Sequence, residues 1–292
     1  MKRFLTLALA AASVGFIAVG TASAIDTYND GDAANGIGNS RHNLGSFGNH
    51  VVSTGTTEIC VFCHTPHHTN TTRSPLWNRG NSSAAYTAYG STIANTNVAS
   101  GDLGPTTLAC LSCHDGVTTL DNIVNKPGKG GLQGGSAGWA IYEDGGQVSN
   151  TITSSRLVIG TDLSNDHPVS ITYYGEDSAT PRASLRDTST QLSTINLTAD
   201  LATSASTYDN GNLTKNLWAV KGYVSAAATI GDLLRNGKVE CSSCHDPHFN
   251  NKSFNEVDMT YDMGGEMDSN GLFLRRVGGN TGSGVCRTCH NK

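Results

Sequence analysis

Eight cysteines and four histidines of this chain recur in one fixed pattern. Every cysteine belongs to a C-x-x-C-H segment, at 60–64, 110–114, 241–245 and 286–290, and no cysteine is left over. This pattern is typical of covalent haem attachment, in which two thiols add to the vinyl groups of one porphyrin and the histidine binds the iron. The predicted attachment residues are Cys60, Cys63, Cys110, Cys113, Cys241, Cys244, Cys286 and Cys289, and the predicted iron ligands are His64, His114, His245 and His290.

Paired cysteines also occur in other kinds of site. They form disulfide frameworks in exported proteins, zinc sites built from two C-x-x-C knuckles, and thiol redox centres. None of these sites requires a histidine directly after each pair, and the chain has only 10 histidines in 292 residues. The pattern therefore predicts four covalently bound haem c groups as the cofactors.

Each iron needs a second axial ligand, and the chain has enough histidines to supply all four. The histidines outside the four motifs are His42, His50, His67, His68, His167 and His248. Met259, Met263 and Met267 are alternative ligands, but their spacing is more typical of a packed helical stripe. We therefore expect every iron to be bound by two histidines.

Two of these histidines follow a haem motif closely. His67 lies three residues after His64, and His248 lies three residues after His245, each behind a proline. Three extended residues span at most roughly 10 Å, which is too short to pass around the rim of a porphyrin. If they are ligands, each must bind a haem other than the one held by its own motif, which places haems close together.

His167 is the only histidine between His114 and His245. Counting ligands makes it a predicted iron ligand, and Asp166 or a nearby carbonyl is expected to orient its ring. The residues alone do not separate His42 from His50.

The first 24 residues predict a signal peptide. Lys2 and Arg3 precede an apolar stretch at 4–19, and an A-x-A cleavage site lies at 22–24. A membrane anchor is disfavoured because the apolar stretch is short, and no later segment is apolar enough to span a bilayer. The mature chain, 25–292, is therefore expected to be secreted.

Composition favours turns over long regular elements, because charged residues are only 15% and 34 residues are glycine. The 24 acidic residues outnumber the 19 basic ones, and no basic cluster of the kind that binds nucleic acid is present. We expect one haem domain over 25–292. Haems 1 and 2 lie within 25–127, a haem-free segment over 128–237 supplies His167, and haems 3 and 4 lie within 238–292.

Local patterns predict few regular elements. Short strands are expected at 157–159 and 169–173, a loop at 128–146, and a short helix at 225–236 that Gly237 ends. The predicted fold class is a mostly irregular multihaem cytochrome c, with short helices and a few short strands wrapped around a stack of four haems.

Several short motifs occur together in one order: S-R-H-N-L at 40–44, C-V-F-C-H-T-P-H at 60–67, P-L-W-N-R at 75–79, D-H-P-V at 166–169, and 241–248. With them the chain resembles the extracellular multihaem cytochromes of metal-reducing bacteria. It is most similar to the OmcE-type tetrahaem cytochromes, which polymerise into filaments called cytochrome nanowires. The similarity covers most of the mature chain, although 147–224 matches little beyond 166–169.

The resemblance implies that all four irons are bis-histidine and that one iron per subunit takes a ligand from the neighbouring subunit. Carried onto this sequence, the second ligands are His42, His67, His167 and His248, and His67 is the favoured crossing ligand. His50 and His68 are additional candidates that the family pattern does not account for.

The expected function is electron transfer, as a subunit of an extracellular filament that passes electrons to redox partner proteins and extracellular acceptors. The alternative is a monomeric periplasmic or outer-surface carrier. A haem enzyme needs an iron with an open position, and six spare histidines exceed four vacancies. No enzymatic activity is therefore predicted.

Overall fold

The computed structural model describes the chain in stretches separated by gaps. The described residues are 37–45, 58–73, 75–89, 102–125, 141–143, 146–148, 151–153, 157–174, 184–197, 216–221, 223–249, 273–276, 279–280 and 283–291. The predicted signal peptide, His50, and the three methionines considered as iron ligands lie outside them.

The helices are short. They are α1 (Pro105–His114), α2 (Ile230–Leu233), α3 (Cys241–Cys244) and α4 (Gly284–Cys289), with 3-10 turns at Ile37–Asn39, Cys60–Phe62 and Leu192–Thr194. Helix α1 begins at Pro105, because proline lacks the N–H group that a first helical residue leaves unpaired. Within the described ranges, no helix is long and apolar enough to cross a membrane.

All four C-x-x-C-H motifs lie on a helical turn: the 3-10 turn Cys60–Phe62, α1, α3 and α4. In the first, third and fourth motifs, the histidine N–H donates to the carbonyl of the first cysteine, over 2.7, 3.0 and 2.9 Å. Residues three and four apart lie on one face of a helical turn. The two thiols and the imidazole of each motif are therefore brought to one side of the backbone.

Three two-stranded antiparallel sheets complete the regular structure. Strand β1 (Ile141–Glu143) pairs with β2 (Gly146–Val148), β3 (Ile171–Thr172) with β6 (Lys238–Val239), and β4 (Trp218–Val220) with β5 (Tyr223–Ser225). The strand predicted at 169–173 is confirmed over two residues. The loop predicted at 128–146 is wrong where the β1–β2 hairpin forms.

The strand predicted at 157–159 is also wrong. This stretch instead packs along the second haem motif, where the N–H of Ile159 donates to the His114 carbonyl over 2.8 Å. Its backbone N–H groups donate to the end of α1 and not to another strand, so this stretch lies beside the helix end.

The helix predicted at 225–236 is shorter than expected. Ser225 ends strand β5, and α2 begins after Thr229, whose side chain and that of Asp232 form a reciprocal capping box. Asn236 and Gly237 then adopt φ values of +52° and +75°, the left-handed conformation that a tight turn into β6 requires. The cap and the turn leave room for only four helical residues.

The largest apolar cluster of the described residues lies in the segment predicted to be free of haem attachment. Its buried members are Tyr173, Leu192, Ile195, Leu197, Trp218, Val220, Ala228, Ile230, Leu233 and Leu234. The Tyr173 hydroxyl donates to the Cys289 carbonyl over 3.2 Å, which joins this cluster to the fourth motif. A smaller cluster of Tyr86, Leu103, Leu111 and Leu163 lies beside α1.

Asn78 fixes the first motif to the rest of the chain. Its backbone N–H donates to the Cys63 carbonyl over 2.8 Å. Its side-chain amide donates to the carbonyls of Val61 and Asn125, over 2.7 and 2.8 Å. Since Asn78 is fully buried, these bonds are shielded from competing water.

Arg79, the next residue, fixes the second motif. Its buried guanidinium donates to the Ser112 carbonyl through Nε and Nη2, over 3.2 and 2.9 Å. It also donates to the carbonyls of Thr119 and Leu120, over 2.7 and 2.9 Å. The 75–79 segment thus links motif 1 to motif 2 through buried polar contacts.

An Arg79→Lys variant tests this link. One ammonium group cannot reach three carbonyls that a planar guanidinium bridges, so we expect the free energy of unfolding to fall by about 1–3 kcal/mol. Denaturant unfolding curves of equal slope measure the change. Arg73→Lys is the matched control, because Arg73 donates only to the neighbouring Thr72 carbonyl. If Arg79→Lys were as stable as the wild type and as Arg73→Lys, the role of Arg79 in linking the two motifs would be contradicted.

Candidate haem sites

The eight cysteines are all free thiols, so none forms a disulfide. Burial, together with neighbouring thiols, raises the pKa of Cys63 and of Cys244 to about 12. Thiol redox centres and reactive thiolates need the opposite shift, a lowered pKa. These two buried thiols are therefore protonated at neutral pH, which disfavours thiolate chemistry at them.

Three of the four motif histidines lie beside a second imidazole from a distant part of the chain. The separations between ring centroids are 6.0 Å for His64 and His248, 6.2 Å for His114 and His42, and 6.4 Å for His290 and His167. Each pair combines one histidine of a C-x-x-C-H motif with one of the predicted second ligands.

These separations fit two ligands on opposite sides of one metal ion. A metal–imidazole bond is about 2 Å long and the ring centroid lies about 1 Å further out, so opposed rings have centroids about 6 Å apart. Within the described part of the chain, no three His, Cys, Asp or Glu side chains converge on one point as they would around a bare ion. A porphyrin supplies four nitrogens to its iron, so the protein has to provide only two further ligands, which a pair of imidazoles can do.

In five of the paired histidines, Nδ1 already has an oxygen partner. A metal-binding imidazole typically engages its other nitrogen in this way, which fixes the ring and leaves Nε2 for the metal. The contacts are His64 with the Pro75 carbonyl (3.1 Å), His114 with the Leu157 carbonyl (2.7 Å), His42 with the Pro247 carbonyl (3.4 Å), His167 with the Pro168 carbonyl (3.0 Å) and His248 with an Asp246 carboxylate oxygen (3.1 Å). The donor set of these pairs therefore fits haem iron.

Burial favours the neutral form of the imidazoles that are enclosed. It lowers the pKa of His42 to about 4, with a further contribution from the nearby His114. Burial also lowers the pKa of His64, His114 and His245. A neutral imidazole is the form that binds a metal, so these rings need no deprotonation at neutral pH.

Thiols of successive motifs influence one another's pKa. The Cys113 thiol contributes to the raised pKa of Cys63, the Cys241 thiol to that of Cys110, and the Cys289 thiol to that of Cys244. Successive C-x-x-C-H motifs therefore lie close enough for their thiols to interact electrostatically.

A buried carboxylate joins the two middle motifs. Glu240, directly before α3, accepts hydrogen bonds from the hydroxyls of Thr107 in α1 and Ser170. The Thr107 hydroxyl in turn accepts from the backbone N–H of Cys241 over 3.4 Å. These contacts hold the two attachment helices in a fixed relation.

His245 and His67 are the predicted ligands that the structure does not pair. Neither lies in ring contact with another histidine within the described ranges. His67 is exposed, and its loop is fixed by the Asn125 side chain, which donates to the carbonyls of His67 and His68 over 3.0 Å each. The His67 ring is thus carried by a fixed turn at the surface.

Sequence reasoning missed the residues that position these imidazoles. Asn78 and Arg79 belong to the P-L-W-N-R segment. This segment is recognisable as a motif in the sequence, but the sequence alone gives its residues no physical role. Asp246 stands between two candidate ligands in H-D-P-H, a position from which a carboxylate can orient the second imidazole. Asn125 gave no signal, because its partners are backbone carbonyls that only the fold brings near.

Comparisons with known proteins do not identify a family. No protein-family model matches the chain, and no curated protein is significantly similar to it.

The angles between the paired rings predict an electron paramagnetic resonance (EPR) spectrum. The His64 and His248 planes are 15° apart, whereas the other two pairs lie at 72° and 71°. Parallel imidazoles donate to the same iron d orbital and split the remaining pair of orbitals. Perpendicular imidazoles leave that pair nearly degenerate.

For the oxidised protein we therefore expect one rhombic low-spin signal and at least two low-spin signals of large g anisotropy. His248→Ala should remove the rhombic signal and leave the others. Loss of a large-anisotropy signal instead would contradict the pairing of His248 with His64. His68→Ala is the control and should leave the spectrum unchanged.

Proposed function

We propose that this chain is an electron-transfer protein that carries four covalently attached c-type haems, each with two histidine ligands. The observation that carries this proposal is the set of three imidazole pairs at 6.0–6.4 Å, each joining a C-x-x-C-H histidine to a remote histidine. Disulfides, zinc knuckles and thiol redox centres do not need a histidine after each cysteine pair, so they do not explain these imidazole pairs.

The pairs support a second ligand for three of the four proposed sites. The site of His64 takes His248, the site of His114 takes His42, and the site of His290 takes His167. The site of His245 is left for His67 of a neighbouring subunit. The assignment agrees with the short reach from each motif, since His248 serves a motif other than its own.

The residues of the chain hold and insulate a reversible one-electron centre, which is the chemistry that bis-histidine haem supplies. Nδ1 contacts with carbonyls and with Asp246 fix the rings, so that little has to move when the charge at the site changes. The electrostatic interactions of Cys63 with Cys113, and of Cys110 with Cys241, support neighbouring sites that lie close together. An electron entering at one end of the series can therefore pass through all four sites.

Haem content is the direct test. The purified mature protein should give four haems per chain in a pyridine haemochrome assay. Its mass should exceed that of the polypeptide over 25–292 by four haem groups. Replacing both cysteines of one motif by serine should lower the count by one. A mass equal to that of the bare polypeptide would end the proposal.

The resemblance to OmcE-type cytochromes extends the proposal to a secreted filament subunit at the cell surface. An exposed His67 on a turn held by Asn125 is suited to reach a neighbouring copy. The iron of the His245 site would then join subunit to subunit, and electrons would continue along the polymer to extracellular acceptors or redox partner proteins.

Negative-stain microscopy of the sheared extracellular fraction tests polymerisation. We expect filaments from the wild type and from His68→Ala, and none from His67→Ala, because only His67 completes the neighbour's iron site. The His67→Ala protein should still carry four haems. Filaments that survive this substitution would rule out His67 as the crossing ligand.

The alternative is a monomeric periplasmic or outer-surface carrier in which His50 completes the His245 site. It predicts a monomer on gel filtration and loss of one low-spin haem in His50→Ala. An enzymatic role requires an open iron position, which a Soret shift on adding carbon monoxide to the reduced protein would reveal.

A further inference from the structure

Three buried side-chain nitrogens have no hydrogen-bond partner among the described residues. They are Nε and Nη1 of Arg275 and Nε1 of Trp77. Buried N–H groups in folded proteins are almost always paired, because an unpaired one gives up its bonds to water without replacement. Each such group therefore requires an explanation.

Arg275 lies against the third motif. Its backbone N–H donates to the Cys244 carbonyl over 2.8 Å, and the adjacent Leu274 bridges to His245. Its guanidinium makes one long contact, 3.5 Å from Nη2 to an Asp246 oxygen. A buried cation of this kind normally has a close, bidentate anionic partner, and none of the described residues supplies one.

Trp77 lies against the first motif. It bridges to His64 in the backbone, and the two rings meet edge to face with centroids 5.7 Å apart. All three unpaired donors in the described structure therefore belong to residues that pair in the backbone with a C-x-x-C-H motif.

We propose that Arg275 and Trp77 bind haem propionates, at the third and first sites respectively. This inference rests on the proposed function. Each haem carries two carboxylates, and the unpaired Nε–H and Nη1–H of Arg275, which lie on different edges of the guanidinium, each offer one charge-assisted bond to a carboxylate oxygen. The indole N–H of Trp77 offers one further bond to such a carboxylate.

The neighbouring Arg276 is a natural control. It is as deeply buried as Arg275, but its Nε donates to Asn216 over 2.8 Å and its Nη1 to the Gly279 carbonyl over 3.0 Å. Its donors are satisfied within the chain, so a propionate is not needed to explain it.

Resonance Raman spectroscopy of the holoprotein tests the proposal through the propionate bending band, whose frequency rises with hydrogen bonding. Arg275→Gln should move part of this band to lower frequency, and Trp77→Phe should do so for a different haem. Arg276→Gln should leave the band where it is. A band that Arg275→Gln does not move, or that Arg276→Gln moves as far, would overturn the proposal.

A second measurement separates binding from general disruption of the fold. Arg275→Gln should also make the reduction potential of one haem more negative, because the propionate loses its cation, whereas Arg275→Lys should retain much of the potential. If Arg275→Gln does not mature, Trp77→Phe carries the test through the Raman band. An unshifted band in Trp77→Phe would then overturn the proposal. Failure of the parent proposal is distinguishable, since it would appear as missing haem in the pyridine haemochrome assay.

Discussion

Three pairs of imidazoles from distant segments lie with their ring centroids 6.0–6.4 Å apart, and the rest of the described structure depends on holding them there. His64 meets His248, and His167 meets His290, across long intervals of sequence. Metal–ligand distances tolerate deviations of only about 0.2 Å. The backbone on both sides of each pair must therefore be held in place, although no described helix exceeds ten residues.

Buried polar side chains meet this requirement in place of extended secondary structure. Asn78 and Arg79 bond to backbone carbonyls of the first two motifs. At the other end, the buried Asn216 accepts from Trp218 and donates to Thr288 inside the fourth motif, over 3.1 and 2.8 Å. An amide or a guanidinium can hydrogen-bond to several irregular chain segments at once, because it offers several donors in fixed directions.

The sequence predicted the local geometry of the motifs because that geometry depends on local spacing. The C-x-x-C-H motifs lie on helical turns, and the expectation that His248 lies beside a motif other than its own uses only the length of three residues. The partners of each ring were not readable, since they depend on which distant segments meet. The helix predicted at 225–236 was too long because Ser225 ends a strand and Thr229, with Asp232, supplies the cap instead. The sequence also did not reveal the apolar core of the segment at 128–237. Its apolar residues are dispersed along the chain and form a cluster only in the folded structure.

The pairing of His64 with His248 has a consequence for biogenesis. A chain is synthesised from its N-terminus, so His64 is made long before His248. During that interval His64 lacks the imidazole that lies beside it in the folded chain. The N-terminal half therefore cannot complete its native contacts as an independent folding intermediate. The surroundings of His64 are completed only when the C-terminal segment arrives, and a chain that ends before 248 would leave that side of the imidazole without its native neighbour.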